Sequence, residues 1–239
     1  MIRIGRMING AYTPVSGFRP IVITTASSPY ASLSPFCLRD EKGRFHENIW
    51  QSSKVYMEVP ASRQTYSRWN STVIWEHPYE VHTDDQGLPN QAYFAWRHKL
   101  ANNPYPVRYP VGFQHRHKCL YALKETGEGL IEPWALGYIA ARKEIYGKEY
   151  LRLVEKQPQY RELKDRLARG ENLLLIDVDG PHQEGMSYYQ EKYQVTPDFI
   201  TNNSVLASEY SLNLLLNDEK FQYGHAFFLA ASLLNIALK

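Results

Sequence analysis

The run Glu47-Asn48-Ile49-Trp50-Gln51-Ser52-Ser53-Lys54 concentrates more chemistry than any other stretch of this chain. Read as a helix, it sets Glu47, Trp50, Gln51 and Lys54 at i, i+3, i+4 and i+7. A carboxylate, an indole, a carboxamide and an ammonium then share one face. The plain reading of such a face is a solvated surface. Two features weigh against it. Glu47 and Lys54 would stand roughly 10 Å apart along the axis, farther than an i,i+4 pair. Trp50 lies between them, and tryptophan seldom faces plain solvent. The opposite side carries Ile49, Ser52, Ser53 and Tyr56, small and partly apolar, as if another element packs against it.

These groups suit the breaking of a glycosidic bond to nitrogen. Its transition state carries positive charge on the sugar ring, as an oxocarbenium ion. Glu47 near the anomeric carbon can stabilise that charge and activate a water. Lys54 can hold a phosphate or donate to the leaving group, Gln51 can bond a ribose hydroxyl, and Trp50 can stack on a base or sugar.

A second group of residues lies downstream. From Gln86 to Lys124 there is no Asp or Glu, while Arg97, Lys99, Arg108, Arg116, Lys118 and Lys124 are interleaved with aromatic residues such as Tyr93, Trp96, Tyr109 and Phe113. Basic and aromatic residues together suit phosphate contacts and base stacking; the competing reading is an aromatic core with solvated basic rims. His115-x-His117 has no Cys or acidic ligand nearby in sequence, so it reads as part of a phosphate patch rather than a metal site. Asp177 and Asp179 leave the end of an apolar run on alternate positions, as a catalytic acid or base or as caps for the turn at Gly180. Arg142 reads as a phosphate or carboxylate ligand or as an ion-pair partner of Glu149, and His225 as structural.

The elements that must position these groups are partly legible. Ile21 to Thr25 is β-branched and reads as a strand. Ser34-Pro35-Phe36 reads as a second extended piece, with Asp40-Glu41-Lys42-Gly43 as its turn. Residues 60 to 110 are rich in Pro, Asn, Ser and aromatics and read as irregular, with one helix over Asn90–Ala101. Apolar spacing predicts a helix from about 136 to 156, and another from Gln159 to Ala168 ended by Gly170. Leu173 to Val178 reads as a buried strand, residues 206 to 217 fit a helix, and Gly224 to Leu238 reads as a buried apolar helix. The fold class expected is α+β: one mainly helical domain over 1–239 with a small β element and a basic aromatic insert at about 60–130.

Composition narrows the class further. Hydrophobic residues are 44% and charged residues 22%, an ordinary globular balance. A net charge of +2 gives no global pull toward nucleic acid or anionic membrane, so the local basic run stands out. Tyrosine is abundant at 18 residues, which suits pockets that stack on rings. Two cysteines, Cys37 and Cys119, read as reduced thiols in a cytoplasmic protein. No secretory signal follows Arg3 and Arg6, and the longest apolar stretch, Ala226 to Leu238, is too short to span a bilayer.

The run from Glu47 to Lys54 also resembles a signature of the NADAR family (YbiA-like): a carboxylate, then an aromatic, Gln and Lys three, four and seven positions on. Leu33-Ser34-Pro35-Phe36 and Gly43-Arg44-Phe45 look like the segment that leads into that helix. Arg142 to Tyr150, Gln157 to Leu163, Leu174 to Asp177 and Tyr223-Gly224-His225 are similar to later family segments, in the same order. Asn48 stands where the family motif has His, and the family's Trp-Gly pair before the last helix is absent. The resemblance implies an N-glycosyl hydrolase or transferase. It would act on a ribosyl–nitrogen bond in a nucleotide, an ADP-ribosyl adduct or modified nucleic acid, with DNA or RNA as a further partner.

In that reading Glu47, Lys54 and Asp177 are catalytic, and Trp50, Gln51, Arg142, Arg108, Arg116 and Lys118 bind substrate. No metal, redox cofactor or membrane partner is implied. The alternative is a binding module without catalysis that reads nucleic acid or ADP-ribose through residues 86–124.

Overall fold

The computed structural model describes residues 1–24, 28–65, 74–126 and 128–239. In chain order the elements are β1 (Ile2–Arg6), β2 (Arg19–Val22), α1 (His46–Ser52), β3 (Lys54–Tyr56), β4 (Glu58–Val59), β5 (Ser62–Thr65), β6 (Ile74–His77), β7 (Glu80–Val81), α2 (Gln91–Ala101), β8 (Cys119–Ala122), α3 (Tyr138–Ala141), α4 (Lys148–Val154), α5 (Pro158–Ala168), β9 (Leu173–Asp177), α6 (Met186–Tyr193), β10 (Ser204–Leu206), α7 (Glu209–Leu216) and α8 (His225–Leu233). The fold is α+β, with small sheets among more numerous helices. No helix among the described residues is long and apolar enough to cross a membrane.

The chain forms two compact units, residues 1–34 with 150–239 and residues 35–149. The first is built on a four-stranded sheet in the order β10-β1-β9-β2. Strand β9 pairs in parallel with β1 and β2, and β10 runs antiparallel to β1. All five residues of β9 are buried, as a strand covered on both faces requires. Helix α8 buries eight of its nine residues and packs on β9 and β1. At about 1.5–3 kcal/mol for each large apolar side chain buried, this helix and strand carry much of the unit's stability.

The second unit has no sheet of more than two strands among its described residues. It contains the antiparallel pairs β3/β8, β4/β7 and β5/β6 together with α1, α2 and α3. Tyr56, Val59, Trp75, Tyr93, Trp96 and Leu100 lie in one buried cluster. Asn90 caps α2 by accepting from the Tyr93 amide at 3.2 Å, the helix start expected from sequence.

Four expectations are corrected. Residues 58–65 and 74–81 hold two strand pairs rather than irregular chain, because each short strand gains its ladder from its antiparallel partner. Of Ser34-Pro35-Phe36 only Ser34 has extended backbone, where its amide closes a 3-10 turn over Ala31–Leu33 by donating to the Ala31 carbonyl at 2.9 Å, while Pro35 and Phe36 lie in a turn. The helix expected over 136–156 is interrupted between α3 and α4 by a π-helical segment, Arg142–Gly147. The expected strand over Ile21–Thr25 is β2, shifted toward the N-terminus, with Thr25 outside the described residues.

Candidate active site

Helix α1 starts without a side-chain cap, since Phe45 precedes it. Its first amides are satisfied instead by the turn before it. The His46 N–H donates to the Leu38 carbonyl at 3.0 Å and the Glu47 N–H to the Pro35 carbonyl at 3.1 Å. The turn Asp40–Gly43 makes this approach possible, with Gly43 at φ 78°, where a side chain would be strained. Two serines end the helix. Ser52 Oγ donates to the Ile49 carbonyl at 3.1 Å and Ser53 Oγ to the Trp50 carbonyl at 2.8 Å.

The helix therefore stops before Lys54, which is the first residue of β3, opposite Ala122 of β8. The expected single helical stripe is corrected to a helix plus a strand, yet the four groups stay together. Lys54 Nζ donates to Gln51 Oε1 at 2.8 Å, and Gln51 Nε2 donates to Glu47 Oε1 at 2.8 Å. An ammonium can only donate and a carboxylate can only accept, so the carboxamide between them has one possible orientation. Lys54 Nζ also stands 4.7 Å from the Trp50 ring centroid. Glu47 and Gln51 are buried; Trp50 and Lys54 are half-buried and form the rim.

Two neighbours complete the surroundings, and sequence reading passed over both. The π segment brings Tyr146 against α1: its carbonyl lies 2.9 Å from His46 Nε2, and its ring meets Trp50 edge-on at 5.4 Å. π turns recur at functional sites in proteins, and this was the one signal that helical periodicity could not carry. Asn48 is wholly buried and clamps the next loop. Its Nδ2 donates to the Asn103 and Tyr105 carbonyls at 3.1 and 2.9 Å, and its Oδ1 accepts from the Val107 amide at 2.7 Å. Nothing in the local sequence marks that role, because its partners lie over 50 residues away.

The remaining expected residues divide by location. Arg142 is buried in the same unit, with its guanidinium 4.3 Å over the Tyr138 ring. Arg108 is half-buried, 5.2 Å from the Tyr109 ring. Arg116 and Lys118 are exposed on a 3-10 segment, Phe113–Lys118. Arg97, also in the basic run, is structural: it is buried and donates to the Tyr93 hydroxyl at 2.9 Å and the Leu123 carbonyl at 2.8 Å. A cleft of about 540 Å³ in this unit is lined by Leu88, Phe94, Tyr121 and Leu123. Tyr121 sits opposite Val55 and so projects from the face of the β3/β8 pair that Lys54 does not use.

Asp177 belongs to the other unit, where it ends β9. Its Oδ2 lies 3.0 Å from His225 Nδ1 and accepts from the Ala226 amide at 3.3 Å; its Oδ1 accepts from the Asp179 amide at 3.4 Å. His225 Nε2 meets the Ile23 carbonyl at 2.9 Å. A carbonyl only accepts, so His225 Nε2 carries a proton, and the Asp177 carboxylate at Nδ1 favours a second proton there, which makes the pair ionic. Burial alone drives the Asp177 carboxyl up, but the His225 charge and hydrogen bond, with the two amides, hold it below the usual range. Burial likewise opposes the His225 charge, and Asp177 with the Ile23 carbonyl raises its pKa above the ordinary value. A Cβ on Gly224 would collide with Asp177 Oδ2, so only glycine lets α8 start this close. Asp177 and His225 together join the end of β9 to the start of α8.

The chain matches no protein-family model, no curated protein and no solved structure.

Proposed function

We propose that the chain is an N-glycosidase of the NADAR (YbiA-like) type, acting in the cytoplasm on a ribosyl–nitrogen bond of a nucleotide, an ADP-ribosyl adduct or modified nucleic acid. The observation that carries the reading is the hydrogen-bonded series Lys54–Gln51–Glu47 beside Trp50. It holds a buried carboxylate at a fixed place, with a cation two hydrogen bonds away and an aromatic face at the rim.

In the reaction the C1′–N bond breaks and the ring oxygen shares the positive charge. Glu47 faces that charge and takes the proton of the attacking water as the C1′–O bond forms. The leaving nitrogen takes a proton from the Lys54 ammonium or from solvent. A nucleophile other than water in the same position gives exchange in place of hydrolysis. Asp177, spent on His225, has no part in this scheme.

The second reading, a non-catalytic module for nucleic acid or ADP-ribose, draws on the exposed Arg116 and Lys118. One experiment separates the two. The protein is incubated with nucleotides, ADP-ribosylated bases and modified oligonucleotides, and products are followed by mass spectrometry. Release of a free base or free ribose supports the glycosidase; binding with no product from any substrate favours the module.

A further inference from the structure

The 3-10 segment Phe113–Lys118 presents Arg116, His117 and Lys118 to solvent, and no acidic residue lies between Gln86 and Lys124. The Arg116 guanidinium lies 3.6 Å from the centroid of the Phe113 ring, and Phe113 is 55% exposed. Tyr109 meets Phe113 edge-on at 5.1 Å, and Arg108 lies beside Tyr109. Two cation–ring pairs, Arg108 with Tyr109 and Phe113 with Arg116, therefore meet through their rings along one short stretch of chain. Cations beside exposed ring area suit a polymer that carries both phosphates and flat bases. An anionic membrane or an acidic protein would use the charge but has no need of the rings.

The strap is fastened at both ends to the segment that carries the candidate site. At its start, the Val107 amide is held by Asn48, the residue after Glu47. At its end, Cys119 opens β8 opposite Tyr56, two residues after Lys54. Between them, the Pro110 carbonyl accepts from Trp75 Nε1 at 2.8 Å, which fixes the bend. The strap's midpoint, Phe113, is six residues from each anchor, so all of it lies within about 20 Å of one of them even if fully extended.

We infer that residues 108–118 bind single-stranded nucleic acid and that Asn48 ties this strap to the Glu47 helix, so that a nucleotide of the bound strand is presented to the site. The inference rests on the glycosidase reading for its second half only. Binding to the strap stands or falls by itself.

The test is fluorescence anisotropy of the full chain with a labelled single-stranded 12-nucleotide oligomer across a salt series. The double variant Arg116→Ala/Lys118→Ala should lose about tenfold or more in affinity at low salt. Its salt slope should shrink by about 1.4, from ~0.7 for each phosphate contact removed. Phe113→Ala should lose about tenfold with the slope unchanged, because stacking releases no counterions. Absence of oligomer binding by the wild type, or equal affinity and slope in the double variant, would overturn the inference. So would binding to phosphatidylserine vesicles in place of the oligomer. Oligomer binding by the strap without release of base or ribose from any substrate would instead strike the glycosidase reading and leave the strap's ligand intact.

Discussion

Glu47 and Asp177 are both buried carboxylates, one in each unit, and each is joined to a different kind of side chain. Asp177 faces a protonated imidazole at 3.0 Å and two main-chain amides. Its charge is neutralised on the spot, and the ion pair fixes the junction of β9 and α8. Glu47 is met by the neutral carboxamide of Gln51, and the ammonium of Lys54 stands one residue further along the chain of bonds. The bond from Gln51 fixes one oxygen of the Glu47 carboxylate in place, as a group that is to meet charge appearing in a transition state must be.

The comparison breaks first at Asp177. Asp177→Asn leaves His225 charged and buried without its counter-ion, at a cost of about 3–5 kcal/mol. Scanning calorimetry should show a melting temperature at least about 6 °C lower, while Glu47→Gln stays within about 4 °C of wild type. Equal losses in the two variants would erase the distinction. Next in size is Asn48→Ala, which removes three hydrogen bonds and leaves buried backbone groups unpaired, at about 2–3 kcal/mol. Hydrogen exchange should speed up over 103–110 more than in β9; uniform change across both would contradict a local clamp.

Gln51 sharpens the comparison on the functional side. Gln51→Ala should lower kcat by about tenfold or more. Gln51→Glu sets a second carboxylate beside Glu47 and should move the acid limb of the pH–rate profile upward. A profile that keeps its shape in Gln51→Glu would show that Gln51 does not act through Glu47.

The smallest effect lies in the pH response of the two units. His225 has a raised pKa in the fold, so the stability it contributes is full below about pH 6.5 and is lost as pH rises through its folded pKa. His82, buried in the other unit against Trp96 with Glu80 at 3.2 Å, is shifted the opposite way: burial lowers its pKa and Glu80 offsets only part of this. Its contribution is full above about pH 6.5 and is lost as pH falls through its folded pKa. Protection factors near His82 should therefore fall between pH 7 and 5, while those around β9 and α8 hold there and decline on the alkaline side. Parallel pH profiles would contradict the assignment.

Local signals in the sequence carried well where a residue acts on its own neighbours. The helix over Asn90–Ala101, the helix ending at Ala168 with Gly170 beyond it, and the apolar run of β9 are all visible in short windows. The site was half legible. Residue types and spacing picked out Glu47, Gln51, Trp50 and Lys54, but the helix was drawn through Ser52 and Ser53, whose hydroxyls bond back to carbonyls and end it. Long-range partners were not legible. The partner of Asp177 is His225, 48 residues away, and no local pattern joins the two. The strands between 58 and 81 have no periodic signal of their own at two to four residues each.

The central claim is that Glu47 carries glycosidic cleavage. Its most direct test is the rate of base or ribose release by Glu47→Gln, measured by mass spectrometry on the substrate that the wild type turns over. A fall of about 10²–10⁴-fold with the melting temperature retained is the predicted result. Release at the wild-type rate would contradict the account.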